Sequence, residues 1–443
     1  MLALPPEKGS GLLIDRIHKE LHERVAMPVD VPCRIRHSAY LLPEEDNGNR
    51  DMVRKGFLDI LTQLGISPQA VKWGQRAGAC EHQFSDGNRL RLIWELHTEF
   101  YTYTTIFLPG AQAQEDAPVA PYTLPTFPTL GEKLVDLDVL VVTGDTLSDE
   151  DRAFLLGGII YGGEVSGGHA SIFTTFQVNE WGQGRYVITA GSLKPGRLGR
   201  LIKRVVDIEN YYHLVLIPLE EYRKQVGQLR ESEQRIARYS EEIAADLATG
   251  ASITDKENRW LVYLTRELAD LIRLTERMRY RLFAANSYHA IFEERLHWLR
   301  EEPPVGYAGY REFLTARVNP AIRSYRNFIE RSDVLTNQIT LMGNMMRTRV
   351  NMNMEQQGLK TMEAMNKRAA LQLLMQRTVE SLSLIVLSYY MTGLAGYVLK
   401  AVEKTFHLPG GSTLWTASTI PLWLGVAAFI THRVKKKIES IEA

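Results

Sequence analysis

Two long apolar stretches near the C-terminal end limit the possible folds of this chain more than any other feature. The first covers residues 378–399 and has one charged residue, Glu380, in its first turn. At about 1.5 Å per residue, a helix of this length crosses the roughly 30 Å hydrocarbon core of a bilayer. The second covers residues 413–431, contains no charge and is just long enough to span. The pattern predicts a membrane hairpin over residues 378–432.

Basic residues flank the predicted hairpin on both outer sides. They precede the first span and follow the second, where a basic tail covers residues 433–443: Lys367, Arg368, Arg377, Arg433, Lys435, Lys436 and Lys437. The connecting segment, residues 400–412, has only two lysines. Cytoplasmic segments carry the excess of Lys and Arg, so both termini are expected in the cytoplasm. The opening MLALPPEKGS has no apolar core of signal-peptide length, which fits this orientation.

Charge and cysteine content bear on the possible functions. The chain has 52 basic and 52 acidic residues, so no basic field favours nucleic acid. Cys33 and Cys80 are the only cysteines, too few for a disulfide framework or a Cys-type zinc site. The paired glycines of residues 157–168 are followed by no Lys-Ser/Thr pair and are expected to turn the backbone between strands. With no recognisable catalytic spacing, an enzyme is not expected.

Residues 1–217 alternate strand-like runs with short amphipathic helices. Runs rich in β-branched and aromatic residues predict strands at 31–42, 89–107, 134–143, 170–178 and 184–191. Helical periodicity predicts helices at 12–24, 50–65 and 196–217. Together these elements predict an α+β domain, a mixed sheet with helices on one face.

Residues 218–377 are predicted to form a long helical stalk. Gly250 is expected to end its first helix, Pro303 and Pro304 end the second, and the third begins near Ala308 and continues into the first span. That last helix is on the order of 130 Å long at the normal rise per residue. Such a helix needs partners along its length. We therefore expect coiled-coil-like packing in a homo-oligomer of more than two subunits.

Four segments carry a resemblance that covers nearly the whole chain. They are WELHTEFYTYT (94–104), PGRLGRLIKRVVDIENYY (195–212), MMRTRVNMNMEQQ (345–357) and RAALQLLMQRTVESLSLIVLSYYMTGLAGYVLKAV (368–402). The sequence thereby resembles a bacterial membrane-anchored family known as domain of unknown function 3422. The resemblance implies a cytoplasmic domain anchored in an inner membrane and no established activity.

The order of parts is also similar to that of CorA-type magnesium channels. Those proteins have a cytoplasmic α/β domain, a long helix leading into the first of two spans, and a Gly-Met-Asn signature at the outer end of that span. Here the region reads YYMTGLAGYVLK and lacks the tripeptide. The likeness therefore favours an oligomeric bundle more than magnesium transport.

Hydroxyl-bearing and small side chains recur on one face of the first span: Thr378, Ser381, Ser388, Thr392 and Ala395 or Gly396. In an oligomer this stripe can line a narrow aqueous path. It can equally serve close helix packing, which uses the same residue types. Glu380 would attract cations as a ring in an oligomer, or form a salt bridge with Arg377 or Arg433.

Two groups of His and Glu side chains are candidates for binding a divalent cation. Strand alternation puts Glu95, His97 and Glu99 on one face, and helical spacing puts the second group, His289, Glu293 and His297, on another. The first group could also act as a general acid and base. The alternative for both is a solvated or salt-bridged surface. No other cofactor is expected.

Two functions remain open at this point. One is a CorA-like cation-conducting assembly whose cytoplasmic domain senses a ligand or metal. The other is a membrane-anchored scaffold or interaction protein without a pore. In both, the partners are membrane lipid and further copies of the chain.

Overall fold

The computed structural model describes residues 26–43, 49–110, 119, 122, 129–248, 254–302, 306–406 and 411–439. The chain divides into two units. The first comprises Met1–Ala245 and Tyr263–Met342, and the second Asp246–Val262 and Gly343–Ala443. The helix predicted at 12–24, the turn residues Gly250, Pro303 and Pro304, and the last four residues of the basic tail lie outside the described residues.

Nine strands of the described chain form one mixed sheet in the first unit. They are β1 (Cys33–Leu41), β2 (Lys72–Trp73), β3 (Ala77–Gln83), β4 (Arg89–Leu96), β5 (Phe100–Leu108), β6 (Lys133–Val142), β7 (Tyr161–Val165), β8 (Ala170–Val178) and β9 (Gly184–Thr189). Their order is β2-β3-β4-β5-β1-β6-β9-β8-β7. Among these nine described strands, only β6 and β9 pair in parallel.

Seven α-helices accompany the sheet in the described chain. They are α1 (Asn49–Gln63), α2 (Asp149–Phe154), α3 (Pro195–Leu216), α4 (Leu219–Ala248), α5 (Thr254–Leu299), α6 (Tyr310–Phe406) and α7 (Gly411–Glu439). The predicted helices at 50–65 and 196–217 are confirmed as α1 and α3. The long third helix is confirmed as well, since α6 continues past Pro320 without a break.

The strand predicted at 89–107 is in fact a hairpin of two strands. β4 ends at Leu96 and β5 begins at Phe100, and the amide of His97 donates to the carbonyl of Phe100 at 2.8 Å. The intervening His-Thr-Glu contains neither Gly nor Pro, so no residue type typical of a turn marks this position. Because of this turn, strand alternation does not extend from Glu95 to Glu99.

Helices cover both faces of the sheet, and the prediction of one covered face is wrong. Phe57 and Ile60 of α1 pack against Trp94 of β4 on one face. The neighbouring Glu95 points to the opposite face, where it contacts Lys203 of α3. The burial of β6 agrees with cover on both faces. Seven consecutive residues of this strand are buried, as expected of a strand covered on both sides.

Three helices pack beside the sheet within the first unit. Arg235 of α4 forms an ion pair with Glu267 of α5 at 2.7 Å. Arg331 of α6 pairs with Glu233 of α4 at 2.6 Å, and Tyr325 of α6 is fully buried. In the second unit, Arg349 and Asn353 of α6 each donate to Glu257 of α5 at 2.5 Å.

Candidate functional site

The charged side chains between α3 and the sheet form a continuous chain of ion pairs. Lys203 donates to both carboxylate oxygens of Glu95, at 3.0 and 2.9 Å. Its ammonium also lies 3.7 Å from Asp207, which accepts a hydrogen bond from Arg295 of α5 at 3.2 Å. The chain therefore ties β4, α3 and α5 together.

The surroundings of Glu95 and Lys203 keep both side chains ionised. Burial alone raises the pKa of Glu95, but Lys203 and His97 outweigh it and hold the pKa well below the usual range. Burial lowers the pKa of Lys203, whereas Asp207 and Glu95 raise it above its usual value by more. Both groups stay charged around neutral pH, so Glu95 is poorly suited to exchanging protons as a general acid.

His97 and Glu99 have different partners from those expected of metal ligands. His97 lies 3.9 Å from Glu95 and stacks on Phe100 with ring centroids 4.0 Å apart. Glu99 accepts hydrogen bonds from the hydroxyls of Tyr280 and Tyr288 on α5, each at 2.8 Å. The turn between β4 and β5 directs Glu99 toward these tyrosines. The structure thus brings Glu95 and His97 together and gives Glu99 a separate environment.

The second group is also divided. His289 lies 2.9 Å from the amide oxygen of Asn319 and 3.6 Å from Glu293. His297, two turns further along α5, faces a cleft lined by arginines. Across the described residues, no group of three or more His, Cys, Asp or Glu side chains is arranged to hold a metal ion.

The candidate functional site that remains is the C-terminal hairpin, where α6 and α7 pack together. A side chain on Gly396 of α6 would place its Cβ only 3.2 Å from the Cγ2 atom of Thr416 on α7. Two turns earlier on the same face, Ser388 is 5% exposed, and Ala427 of α7 is 2% exposed. Small residues therefore allow the two helix backbones to approach closely.

The four hydroxyls of the predicted stripe are satisfied within their own helix. Each donates to a backbone carbonyl one turn earlier: Thr378 to Leu374, Ser381 to Thr378, Ser388 to Leu384 and Thr392 to Ser388, at 2.7–2.9 Å. Glu380 is exposed, and neither Arg377 nor Arg433 forms an ion pair with it within the described chain. Instead, Arg433 lies over the ring of Phe429.

Within the described residues, two helices are long and apolar enough to cross a membrane. The windows lie within 310–403 and 413–433, with mean hydropathies of 1.6 and 1.4. Large apolar side chains on both are exposed, including Tyr389, Leu394 and Phe429. Such a surface is costly to leave in water.

Comparison with known proteins identifies the family. The family model described as "Protein of unknown function (DUF3422)" matches residues 14–438. The chain belongs to the DUF3422 family. No curated protein matches it, and no solved structure matches it.

One cluster of arginines in this DUF3422 protein was not predicted from the sequence. Arg197, Arg200 and Arg204 follow one another at spacings of three and four on α3, and Arg300 at the end of α5 joins them at one cleft. The spacing was a usable signal, because residues three and four apart share a helix face. The contribution of Arg300 depends on the tertiary fold, and no local pattern marks it.

Proposed function

We propose that this DUF3422 protein is a membrane-anchored cytoplasmic sensor or scaffold that works as a homo-oligomer and has no ion pore. The observation that carries the proposal is the close approach of Gly396 to Thr416. This contact places the small-residue face of the first stretch against α7, inside the hairpin.

This packing argues against a water-filled path along the same face. Side chains that face α7 point away from an axis that the first spans of several copies would share. Thr392 and Gly396 are only partly exposed, and Ser388 is buried. The part of the stripe from Ser388 to Gly396 is therefore covered by other residues of the hairpin. Since the hydroxyls already donate to their own helix, the stripe behaves as a helix contact.

The anchor follows from the exposed apolar surface of α6 and α7. A bilayer would cover these side chains without requiring any backbone group to lose its hydrogen bond, since both segments are helical. The basic residues at both outer flanks favour an orientation with both termini in the cytoplasm of a bacterial cell. The anchor then lies in the inner membrane, with residues 400–412 outside.

Assembly is supported by the part of α6 that precedes the first span. Every residue from 354 to 377 is exposed in the single chain. Among them, Met354, Leu359, Met362 and Met365 are each more than 60% exposed. An isolated helix of this length with apolar residues on several sides needs lateral partners, and further copies of the chain supply identical ones. We infer more than two copies.

Cation conduction is the second candidate, and Glu380 is the observation that favours it. Its carboxylate is exposed and has no ion pair among the described residues. At 3.6 residues per turn, Glu380 lies about 120° around the helix from the centre of the hydroxyl stripe. A ring of Glu380 would therefore face a different direction from the hydroxyls, so the two features do not line one path together.

Native mass spectrometry in mild detergent tests the assembly on which the proposal depends. We expect a complex of more than two copies that falls apart when Met354, Leu359, Met362 and Met365 are all replaced by Gln. Replacing the exposed, polar Gln356, Gln357, Lys360 and Glu363 by Ala on the same turns is the matched control and should leave the complex intact. A wild-type protein that is only monomeric would contradict the proposal.

A further inference from the structure

A concave cleft in the first unit has a lining without acidic residues. It has a volume of about 580 Å³, and its lining includes Ser166, Arg197, Arg200, Arg204, Trp298 and Arg300. Its walls come from the β7–β8 turn, the start of α3 and the end of α5. This volume lies in the range of small-molecule sites.

The arginines of the cleft are not neutralised by the protein. Arg197, Arg200 and Arg300 form no ion pair with a carboxylate of the described residues, and all three are exposed. Elsewhere in the same unit, several arginines have carboxylate partners, as Arg34 does with Asp138 at 2.7 Å and Arg331 with Glu233 at 2.6 Å. The contrast shows that unpaired arginines converge at this cleft.

Arg204 lines the cleft and is held in place by Trp298. Its Nη1 donates to the carbonyl of Trp298 at 3.0 Å, and its guanidinium lies 5.8 Å from the centre of the Trp298 ring. Burial lowers the pKa of Arg204, and the neighbouring charges of Arg200, Arg295 and Arg300 lower it further. Mutual repulsion among these groups is what a bound anion would relieve.

The walls of the cleft are joined by backbone hydrogen bonds. The amide of Ser166 donates to the carbonyl of Leu299 at 2.7 Å, which fixes the β7–β8 turn to the end of α5. The amide of Glu302 donates to the carbonyl of Glu164 at 3.0 Å. The backbone on either side of Arg300 is therefore fixed to the strand β7 and its following turn before any ligand arrives, which lowers the cost of binding.

We propose that this cleft binds a compound carrying two or more phosphate groups. Guanidinium groups match phosphate oxygens in pairs of parallel hydrogen bonds, and several of them suit a multiply charged anion better than a single carboxylate. The ligand is either a soluble polyphosphorylated compound or the headgroup of a diphosphorylated lipid. The proposal goes beyond the anchor and scaffold and does not depend on whether the hairpin conducts ions.

Calorimetric titration of the full chain with inorganic tripolyphosphate tests the site. The protein is placed in nanodiscs of phosphatidylcholine, and the cleft variant carries Arg197→Gln, Arg200→Gln and Arg300→Gln. Because hydrogen bonds to charged groups each contribute about tenfold or more in affinity, we expect the variant to bind at least about a hundredfold more weakly. The matched control carries Arg230→Gln, Arg238→Gln and Arg323→Gln, which are exposed and lie outside the cleft. Its affinity should equal that of the wild type.

A second set of nanodiscs that contain cardiolipin distinguishes the two sources. If the natural ligand is a headgroup, cardiolipin competes and the wild type binds tripolyphosphate more weakly there. If it is soluble, the affinity is the same in both lipids. Either result supports a phosphate site.

Hydrogen exchange of the wild type provides a readout that needs no variant. Tripolyphosphate should protect residues 195–204 and 297–300. Failure of tripolyphosphate to bind the wild type, or equal binding by the cleft and control variants with no protection of these segments, would overturn the proposal.

Discussion

Lys203 of α3 and Glu95 of β4 form a partly buried ion pair in which the ammonium donates to both carboxylate oxygens, at 3.0 and 2.9 Å. Their side chains are 26% and 13% exposed. The pair joins strand β4 of the sheet to helix α3, which packs on one face of the sheet. Asp207 and Arg295 extend the same network to α5, so the loss of one member leaves its neighbours unbalanced.

Replacing Lys203 by Met should destabilise the first unit strongly. Removing one partner of a fully buried pair leaves an uncompensated charge and typically costs about 3–5 kcal/mol, and this partly buried pair should lie at the lower end of that range. The double variant Lys203→Met/Glu95→Gln should recover part of this loss. Thermal unfolding followed by circular dichroism measures the effect. The control is Lys224→Met, which removes an exposed partner of Glu220 and should change the midpoint little. Equal effects of Lys203→Met and Lys224→Met would refute the expectation.

His37 should make the fold sensitive to acid. Burial lowers the pKa of His37 to about 4. The ring lies between Thr104 and Asn210, at 2.8 and 3.1 Å. Because the folded pKa lies below the ordinary 6.5, its contribution to stability is complete above pH 6.5 and is lost as the pH falls toward 4.

The measurement for His37 is the difference in unfolding free energy between wild type and His37→Gln as a function of pH. It should shrink by roughly 3 kcal/mol between pH 7 and pH 4, since one pKa unit is about 1.4 kcal/mol. Burial raises the pKa of Glu209 to about 7. The contribution of Glu209 to the stability of the fold is therefore lost as the pH rises through 7, which is opposite to the effect of His37. Glu209 is present in both proteins and cancels. A difference independent of pH would contradict a neutral, buried His37.

Gly396→Leu should loosen the hairpin because its Cβ would lie 3.2 Å from the Cγ2 atom of Thr416, closer than an ordinary van der Waals contact. Gly393→Leu is the matched control, since an added Cβ there meets no atom within 4 Å. Thermal unfolding in detergent micelles should show a clearly lower midpoint for the first variant and a wild-type midpoint for the second. If both variants behave alike, the hairpin packs in another way.

The proposed topology can be tested by labelling single cysteines from outside the inner membrane. Ser412→Cys should react with an impermeant maleimide, whereas Ser440→Cys should react only after the membrane is opened. Burial raises the pKa of Cys33 to about 12 and that of Cys80 to about 11, so the native thiols should contribute little background. Labelling of Ser440→Cys in intact cells would invert the orientation.

The sequence predicted helices and strands correctly where one helical or strand periodicity extends over a long segment. α6 was identified because its helical pattern contains no break apart from Pro320, and β6 and β8 because their β-branched runs are bounded by turn residues. The hairpin at 97–99 was missed because its turn contains no Gly or Pro. β3 was missed because AGACEHQ is poor in β-branched residues and takes its place from pairing with β4.

The site residues were harder to predict because their partners are distant in sequence. Glu95 and Lys203 are 108 residues apart, and nothing local to either residue indicates the contact. Alternation grouped Glu99 with Glu95, but the turn moved it to Tyr280 and Tyr288 instead. The cleft arginines combine a regular spacing on α3 with Arg300, which directly follows α5. Only the α3 part of that cluster could be predicted from the sequence.

Ion flux through the wild-type protein reconstituted in vesicles tests most directly whether the hairpin is an anchor without a pore. With the oligomer shown to be intact, we predict that potassium, sodium and magnesium pass no faster than through protein-free vesicles. Glu380→Lys should then change nothing. Cation flux above background that collapses in Glu380→Lys would contradict the account, because it would show that a ring of Glu380 carboxylates attracts ions into a conducting path.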